Sequence, residues 1–269
     1  MNIAVSGAAG RMGKRILALA NDHPEIEISG ALEAPGHPAL GKDAGEVAGI
    51  GTLDVSITDE VASVLRGCDV LVDFSGPQAS VAHVRAAAES GKAIVVGTTG
   101  FSEEQKKEMV QAGANTRCLI APNMSMGVNL LFSLVESAAQ TLGEGYDVEI
   151  VEAPHNMKKD APSGTANKLA EIIAEARGLD LAAKGVYGRK GIVGQRRPDE
   201  IGVMAIRGGD IVGEHTVLFI TNGERVELIH RAQSRDALAK GAVQAALWLV
   251  SRPNGVYDMQ DVLGLKADS

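Results

Sequence analysis

The sequence predicts an α/β fold: a doubly wound parallel sheet followed by a second, α+β domain. Three observations carry this expectation. Short, nearly unbroken apolar runs alternate with helical patterns as far as Ala121. A glycine-rich turn lies directly between the first run and the first helical pattern. Beyond Ala121 a long helical stretch gives way to strands joined by a hairpin signal.

The runs Ile3–Ser6, Ile26–Leu32, Val70–Phe74, Ala93–Thr98 and Cys118–Ala121 read as strands, four of them with almost no polar residue. Strands without polar alternation, separated by helices, belong to a parallel sheet covered on both faces. The helices between them include Ala79–Ser90, which stops at Gly91, and Ser102–Ala114, which opens on a Ser102/Gln105 capping box. Val128–Leu142 reads as a long amphipathic helix and Val148–Ala153 as a strand. The polar loop Pro154–Ser163 leads into a helix over Thr165–Arg177. Ile201–Arg207, Thr216–Thr221 and Arg225–Arg231 read as antiparallel strands, with Asn222-Gly223 as a type I′ turn. A closing helix over Asp236–Val250 fits either domain.

Composition narrows the function. With 45% hydrophobic and 22% charged residues, the 269-residue chain has the make-up of a globular protein. Aromatics make up only 3%, so Ala, Val, Ile and Leu must build the core. A net charge of −8 and the lack of any Lys/Arg block argue against a nucleic-acid partner. The N-terminal residues lack the pattern of a signal peptide, and no apolar stretch is long enough to span a bilayer, so a cytoplasmic protein without a membrane partner is expected. Cys68 and Cys118, widely spaced in apolar runs, suggest buried thiols rather than a metal site or disulfide.

The glycine turn is Gly7-Ala8-Ala9-Gly10-Arg11-Met12-Gly13. G-x-x-G-x-x-G between a strand and a helix is a variant of the dinucleotide fingerprint. Its glycines allow a tight turn and let backbone approach a pyrophosphate at the helix N-terminus. Glu33, twenty residues beyond Gly13 at the end of the second strand, is placed to accept hydrogen bonds from ribose hydroxyls. The competing reading is an incidental turn and a surface glutamate. A 2′-phosphate calls for a nearby arginine, but Glu33 is followed by Ala34, Pro35 and Gly36, leaving Arg11 as the one local cation. NADH is therefore the expected cofactor, with NADPH tolerated.

The segment Glu152–Ala166 gathers His155, Lys158, Lys159 and Asp160 ahead of a Pro-Ser-Gly-Thr helix start. Helix N-termini present unpaired N–H groups, and Ser163, Gly164 and Thr165 would offer them to an anion such as a carboxylate. A lysine there can also donate a proton to a developing carbanion. The bland reading is that Ser163 or Thr165 merely caps the helix and the charges are solvated.

At these residues the chain resembles the dihydrodipicolinate reductase family. GAAGRMG at the start, VDFSGP at 72–77, VVGTTGF at 95–101, APNMS at 121–125, KKDAPSGTA at 158–166, GDIVGEHT at 209–216 and ALWL at 246–249 follow the family's order. The resemblance implies a Rossmann-like dinucleotide-binding domain from 1–124 and 235–269, with 125–234 supplying substrate binding and a homotetramer interface. It places Gly7, Ala8, Ala9, Gly10, Arg11, Met12 and Glu33 on the adenosine-pyrophosphate part of the cofactor. Gly97, Thr98, Thr99, Ala121, Pro122, Asn123 and Met124 fall at the nicotinamide end. Lys158 matches the proton donor and His155 a substrate-binding histidine, while Ser163, Gly164 and Thr165 match the clamp on a small dicarboxylate. The implied reaction is reduction of 4-hydroxy-tetrahydrodipicolinate in lysine biosynthesis.

Two positions depart from the family pattern. Pro154 stands where the family has the first of two adjacent histidines, an acid/base residue, and Ala34 where some members carry an arginine. The first leaves open a dinucleotide-binding sensor that has lost catalysis. Another two-domain reductase of amino-acid metabolism is the same-class alternative, which does not readily explain KKDAPSGTA.

Overall fold

The structure is a computed structural model and describes residues 1–266. Residues 267–269, the last of the expected first-domain tail, lie outside the described residues. The chain divides into two compact units: Met1–Met126 with the tail from Arg235, and Gly127–Ser234.

In chain order the first unit runs β1 (Asn2–Ser6), α1 (Arg11–Asn21), β2 (Glu27–Leu32), α2 (Ala44–Ala48), β3 (Ile57–Thr58), α3 (Val61–Gly67), β4 (Val70–Asp73), α4 (Pro77–Ser90), β5 (Ala93–Val96), α5 (Glu103–Gly113) and β6 (Arg117–Ile120). The second carries α6 (Met126–Leu142), β7 (Asp147–Ala153), α7 (Gly164–Ala176), α8 (Leu181–Lys184), β8 (Gly185–Val186), β9 (Ile201–Ala205), β10 (Gly213–Thr221) and β11 (Glu224–Ala232). The chain returns to the first unit with α9 (Asp236–Leu249), β12 (Gly255–Tyr257) and α10 (Met259–Val262).

The first sheet is parallel throughout, in the order β12-β6-β5-β4-β1-β2-β3. Strand order reverses between β1 and β4, the switch point outside which such sheets bind ligands. Successive residues of a strand point to opposite faces. Ile3, Val5, Val70, Val72 and Val95 therefore pack on one side with Ile16 and Leu17 of α1 and Ala242 and Ala246 of α9. Ala4, Leu71, Ile94 and Val96 face the other side with Leu65 of α3, Val84 of α4 and Met109 of α5. A sheet with two cores needs an apolar residue at every position, which is why these runs are unbroken. Cys68 and Cys118 are buried thiols, pushed by burial up to about 11 and about 12. Among the described residues no helix is long and apolar enough to cross a membrane.

The second sheet is mixed, in the order β11-β10-β7-β9-β8. Two expectations are corrected here. The strand expected at Ile201–Arg207 ends at Ala205 and runs parallel to β7 and β8, not antiparallel. The long connection from β7 to β9 contains α7, and a crossover of this kind joins parallel neighbours. Asn222-Gly223 does close the β10–β11 hairpin, with Thr221 paired to Glu224. Only Gly223 takes positive φ, at 96°, so the turn is not type I′. Positive φ at the second central position alone is the type II pattern.

On β7, buried and half-exposed residues alternate. Val148 and Ile150 join Val217 and Phe219 of β10 beneath α6 and α7. The same face ends in a polar pair, Glu152 of β7 opposite His215 of β10, both buried.

Candidate active site

In the first unit the site begins at the β1–α1 turn. Gly7 takes φ +74°, and a Cβ there would lie 2.5 Å from the Phe74 carbonyl oxygen. A Cβ on Gly13 would lie 2.1 Å from the Gly7 carbonyl oxygen. The first glycine thus lets β1 pass close to the end of β4, and the third lets α1 fold back onto the turn. The Leu32 carbonyl accepts from the N–H groups of Gly7 and Ala8 at 3.0 and 3.1 Å. Glu33 binds the turn directly: Oε1 accepts from Ala9 N–H at 2.8 Å and Oε2 from Ala34 N–H at 3.2 Å. No side chain caps α1, so its first N–H groups are open to an anionic ligand.

Above the strand ends lies a pocket of about 400 Å³. Gly10, Arg11 and Met12 line it together with Gly97, Thr98, Thr99, Pro122 and Met124. Of the other residues expected near the cofactor, Gly7, Ala8 and Ala121 are buried, while Ala9, Glu33 and Asn123 are half-buried. Phe74, Ser75, Pro77 and Leu238 complete the lining. The residue-level reading assigned none of these four. The signal was present, since the first three fall in VDFSGP. A Cβ on Gly97 would lie 2.1 Å from the Phe74 ring, so that ring rests on bare backbone and forms a flat wall.

The second unit builds a separate polar cluster where β7 ends. Ser163 is the N-cap of α7, and its hydroxyl accepts from Ala166 N–H at 3.2 Å. Its own N–H donates to Glu152 Oε2 at 3.0 Å, and its hydroxyl lies 3.4 Å from His215 Nε2. Arg207 Nη1 donates to Glu152 Oε1 at 3.0 Å, and Arg207 Nη2 to the Asp160 carbonyl at 2.6 Å. Lys158 Nζ donates to both Asp160 carboxylate oxygens at 2.8 Å, holding that carboxyl below its ordinary range. The half-buried His155 sits in a segment tied down on both sides: Gly208 N–H donates to the Pro154 carbonyl and Asn156 N–H to the Gly209 carbonyl, each at 3.1 Å. Arg207 and Glu152 thus tie Asp160, and with it Lys158, to Ser163 at the start of α7, where Gly164 and Thr165 follow; the His155 side chain is not part of this network. The exposed Lys159 makes none of these contacts.

Family models for "Dihydrodipicolinate reductase, N-terminus" and "Dihydrodipicolinate reductase, C-terminus" match residues 1–124 and 127–263. The chain belongs to the dihydrodipicolinate reductase family. It is 51% identical over 266 residues to a 4-hydroxy-tetrahydrodipicolinate reductase of Geotalea daltonii, covering 99% of this chain and 100% of that protein. It is 52% identical over 264 residues to one of Geobacter sulfurreducens, covering 98% and 99%. Among solved structures, a dipicolinate-bound dihydrodipicolinate reductase from Paenisporosarcina sp. TG-14 matches with TM-score 0.76 and 23% identity over 97% of this chain and 98% of that one. An amine dehydrogenase from Mycobacterium smegmatis, at TM-score 0.59 and 15% identity over 95% and 94%, shares the fold.

Within this dihydrodipicolinate reductase family member, sequence reasoning missed Glu152, Arg207 and His215. Glu152 and His215 were legible as polar breaks in the buried stripes Val148-x-Ile150-x-Glu152 and His215-x-Val217-x-Phe219.

His215 gives the second unit a pH signature. Burial lowers its pKa from the ordinary 6.5 to about 4, with Glu152 opposing and His230 and Lys158 assisting. Between those values the unfolded chain binds a proton that the folded chain does not, so stability falls as pH drops through that window. For the intact protein this amounts to about 2 kcal/mol between pH 7 and pH 5. His230, also lowered by burial, adds to the same slope. Melting temperatures from pH 7 to 5 should therefore fall more steeply for the parent than for His215→Asn. Parallel slopes would rule out His215 as the titrating group.

Proposed function

We propose that the chain reduces 4-hydroxy-tetrahydrodipicolinate to tetrahydrodipicolinate at the expense of NAD(P)H, in the diaminopimelate route of lysine biosynthesis. The observation that carries this reading is that Lys158, oriented by Asp160, is tied through Arg207 and Glu152 to the helix start at Ser163, in a chain of this family. The test is an assay in which the preceding synthase generates the unstable substrate in situ and NADH absorbance is followed.

The first unit fits a dinucleotide, because a Cβ on Gly7 or Gly13 would fill the close approaches that form its turn. Gly10, Arg11 and Met12 would face the pyrophosphate, Glu33 the ribose, and Gly97, Thr98, Thr99, Pro122 and Met124 the nicotinamide end, with Ala121 and Asn123 in the supporting segment. The bound nicotinamide supplies a hydride. In the second unit, Ser163, Gly164 and Thr165 would hold one carboxylate of the substrate and His155 would bind it nearby. Lys158 would give the proton, its ammonium already oriented by Asp160. The net reaction takes up one hydride and one proton and releases one water.

In this proposal 1–124 with 235–269 binds the dinucleotide, and 125–234 binds substrate and assembles a homotetramer in the cytoplasm. Exposed Leu130 and Leu134, one turn apart on the same face of α6, support the assembly, since neighbouring exposed apolar residues mark contacts between subunits. The catalytically silent sensor is the second reading, favoured by Pro154 alone.

Lys158→Met should lower kcat by roughly 100-fold or more, the scale of a lost general acid, with NADH affinity little changed. Near-parental turnover in steady-state kinetics would remove Lys158 from the donor role. The parent should also show higher kcat/KM with NADH than with NADPH, because the Glu33 carboxylate disfavours a 2′-phosphate and exposed Ala34 offers it no partner. Ala34→Arg should improve kcat/KM with NADPH selectively. A clear NADPH preference in the parent would show that Arg11 or another cation governs that end of the site.

Pro154→His should raise kcat by roughly 10-fold or more and add an ionisation near neutral pH, while His155→Gln mainly raises KM. Pro154 carries no titratable group, so the role of the family's first histidine is unfilled and Lys158 bears the protonation. A silent Pro154→His combined with collapse of kcat in His155→Gln would assign the acid/base role to His155. A parent that oxidises no NADH with trapped substrate would favour the sensor.

A further inference from the structure

The strand end that carries Phe74 and Ser75 to the pocket hides a carboxylate. Asp73, the last residue of β4, has no exposed surface. Its Oδ1 accepts from the Ser75 N–H at 3.2 Å and from the Ser75 hydroxyl at 2.6 Å. The Nδ1 of His83, buried on α4, lies 3.4 Å from the same oxygen. Ser80, also on α4 and wholly buried, donates to Thr98 Oγ1 at 2.8 Å, and its hydroxyl lies 3.5 Å from that of Ser75. One pocket-lining residue, Ser75, is thus bonded directly to a charge beyond the reach of solvent, and a second, Thr98, is held by the neighbouring Ser80 hydroxyl.

A carboxylate taken out of water is unfavourable unless it is paired or hydrogen-bonded. Burial pushes the Asp73 carboxyl up, yet His83, Ser75 and Ser80 outweigh it and hold the group below its ordinary range. A turn opening α4 requires none of this. The bond from Asp73 to the Ser75 N–H is an Asx turn, which an asparagine makes equally well. The buried imidazole and the Ser80–Thr98 link across to β5 lie outside that role.

We propose that Asp73 and His83 form a positioning pair for the nicotinamide end of the pocket, fixing Ser75 directly beside the Ser80 hydroxyl that holds Thr98. The wall made by Ser75, Thr98 and the Phe74 ring over Gly97 is then preorganised for a flat ring with a polar carboxamide edge. This inference rests on the cofactor reading given above. It adds two residues that need not touch the cofactor and act only through others.

The test separates positioning from folding. NADH binding to the intact protein is followed by nicotinamide fluorescence, and ADP-ribose, which lacks the nicotinamide, is measured as its competitor. Asp73→Asn and His83→Leu should each weaken NADH by about tenfold, the scale of a lost polar contact to a charged group. ADP-ribose affinity should stay within about twofold of the parent, because its contacts lie at the glycine turn and Glu33. His83→Gln, which keeps a donor towards Asp73, should recover most of the NADH affinity. It also decides the question if Asp73→Asn does not fold. Parental NADH affinity in Asp73→Asn or His83→Leu overturns the proposal. Equal losses for NADH and ADP-ribose overturn it too, because the pair then serves the Gly7–Phe74 contact and the turn as a whole. A parent that binds ADP-ribose but gains nothing from the nicotinamide overturns it as well, while a parent that binds neither defeats the cofactor reading itself.

Discussion

Coverage of the parallel sheet on both faces is the constraint from which the first unit follows. With one core beneath α1 and α9 and another beneath α3, α4 and α5, no interior strand position can hold a polar group at low cost. Apart from Ser29 of β2, half-buried and donating to the Ile3 carbonyl at 3.4 Å, polar residues lie at the strand ends and the turns beyond them. Glu33 follows β2, Asp73 ends β4, Thr98 follows β5 and Asn123 follows β6. Chemistry gathers at the carboxyl edge because the sheet admits it nowhere else. The second unit obeys the same rule in alternating form. The buried stripes of β7 and β10 stay apolar until they reach Glu152 and His215, beside the start of α7.

That rule also explains what the sequence revealed. Unbroken runs such as Val70–Asp73 and Ala93–Val96 were legible because two-sided burial leaves no alternation to confuse. The Ser102/Gln105 capping box and the Gly91 stop were legible because both are local chemistry, and both are present. The orientation of β9 was not, because parallel or antiparallel pairing is decided by a crossover rather than by residues within the strand. The turn at Asn222-Gly223 shows the limit of composition: the pair fixes the place of the reversal, but the φ of Asn222 decides its type. Within the site, the glycine turn and the 155–165 segment could be read as contiguous motifs. Glu152, Arg207 and His215 meet only after three strands have folded together, and Ser75 meets Thr98 only through α4.

Both polar clusters are organised around a carboxylate that reaches no solvent. A carboxylate only accepts hydrogen bonds, whereas an amide offers both roles and leaves its orientation to be decided by its neighbours. Asp73 therefore commits the Ser75 hydroxyl to donate inward. Glu152 likewise commits the Ser163 N–H and Arg207. In each case the carboxylate has a basic partner, His83 or Arg207, without which its burial would be strongly destabilising. The result is fixed donor direction a few ångströms behind the surface, where a flexible loop would otherwise set its own.

Pro154 shows how such a frame accommodates a residue without a backbone donor. Ile206 N–H donates to the Glu152 carbonyl at 2.8 Å and Gly208 N–H to the Pro154 carbonyl at 3.1 Å, so the parallel ladder between β7 and β9 continues past the end of both strands. In such a ladder the N–H of residue 154 would be directed to the Ile206 carbonyl. Proline has no N–H to give. That carbonyl instead accepts from Arg207 Nη1 at 2.7 Å, the same nitrogen that binds Glu152. The backbone at 154 therefore contributes its acceptor, its missing donor is replaced, and the segment holding His155 keeps its anchors at Gly208 and Gly209. The Ile206 carbonyl keeps capacity for a second donor, because a carbonyl oxygen has two lone pairs. Pro154 thus brings no ionisable side chain to the segment that holds His155, and its backbone still anchors that segment.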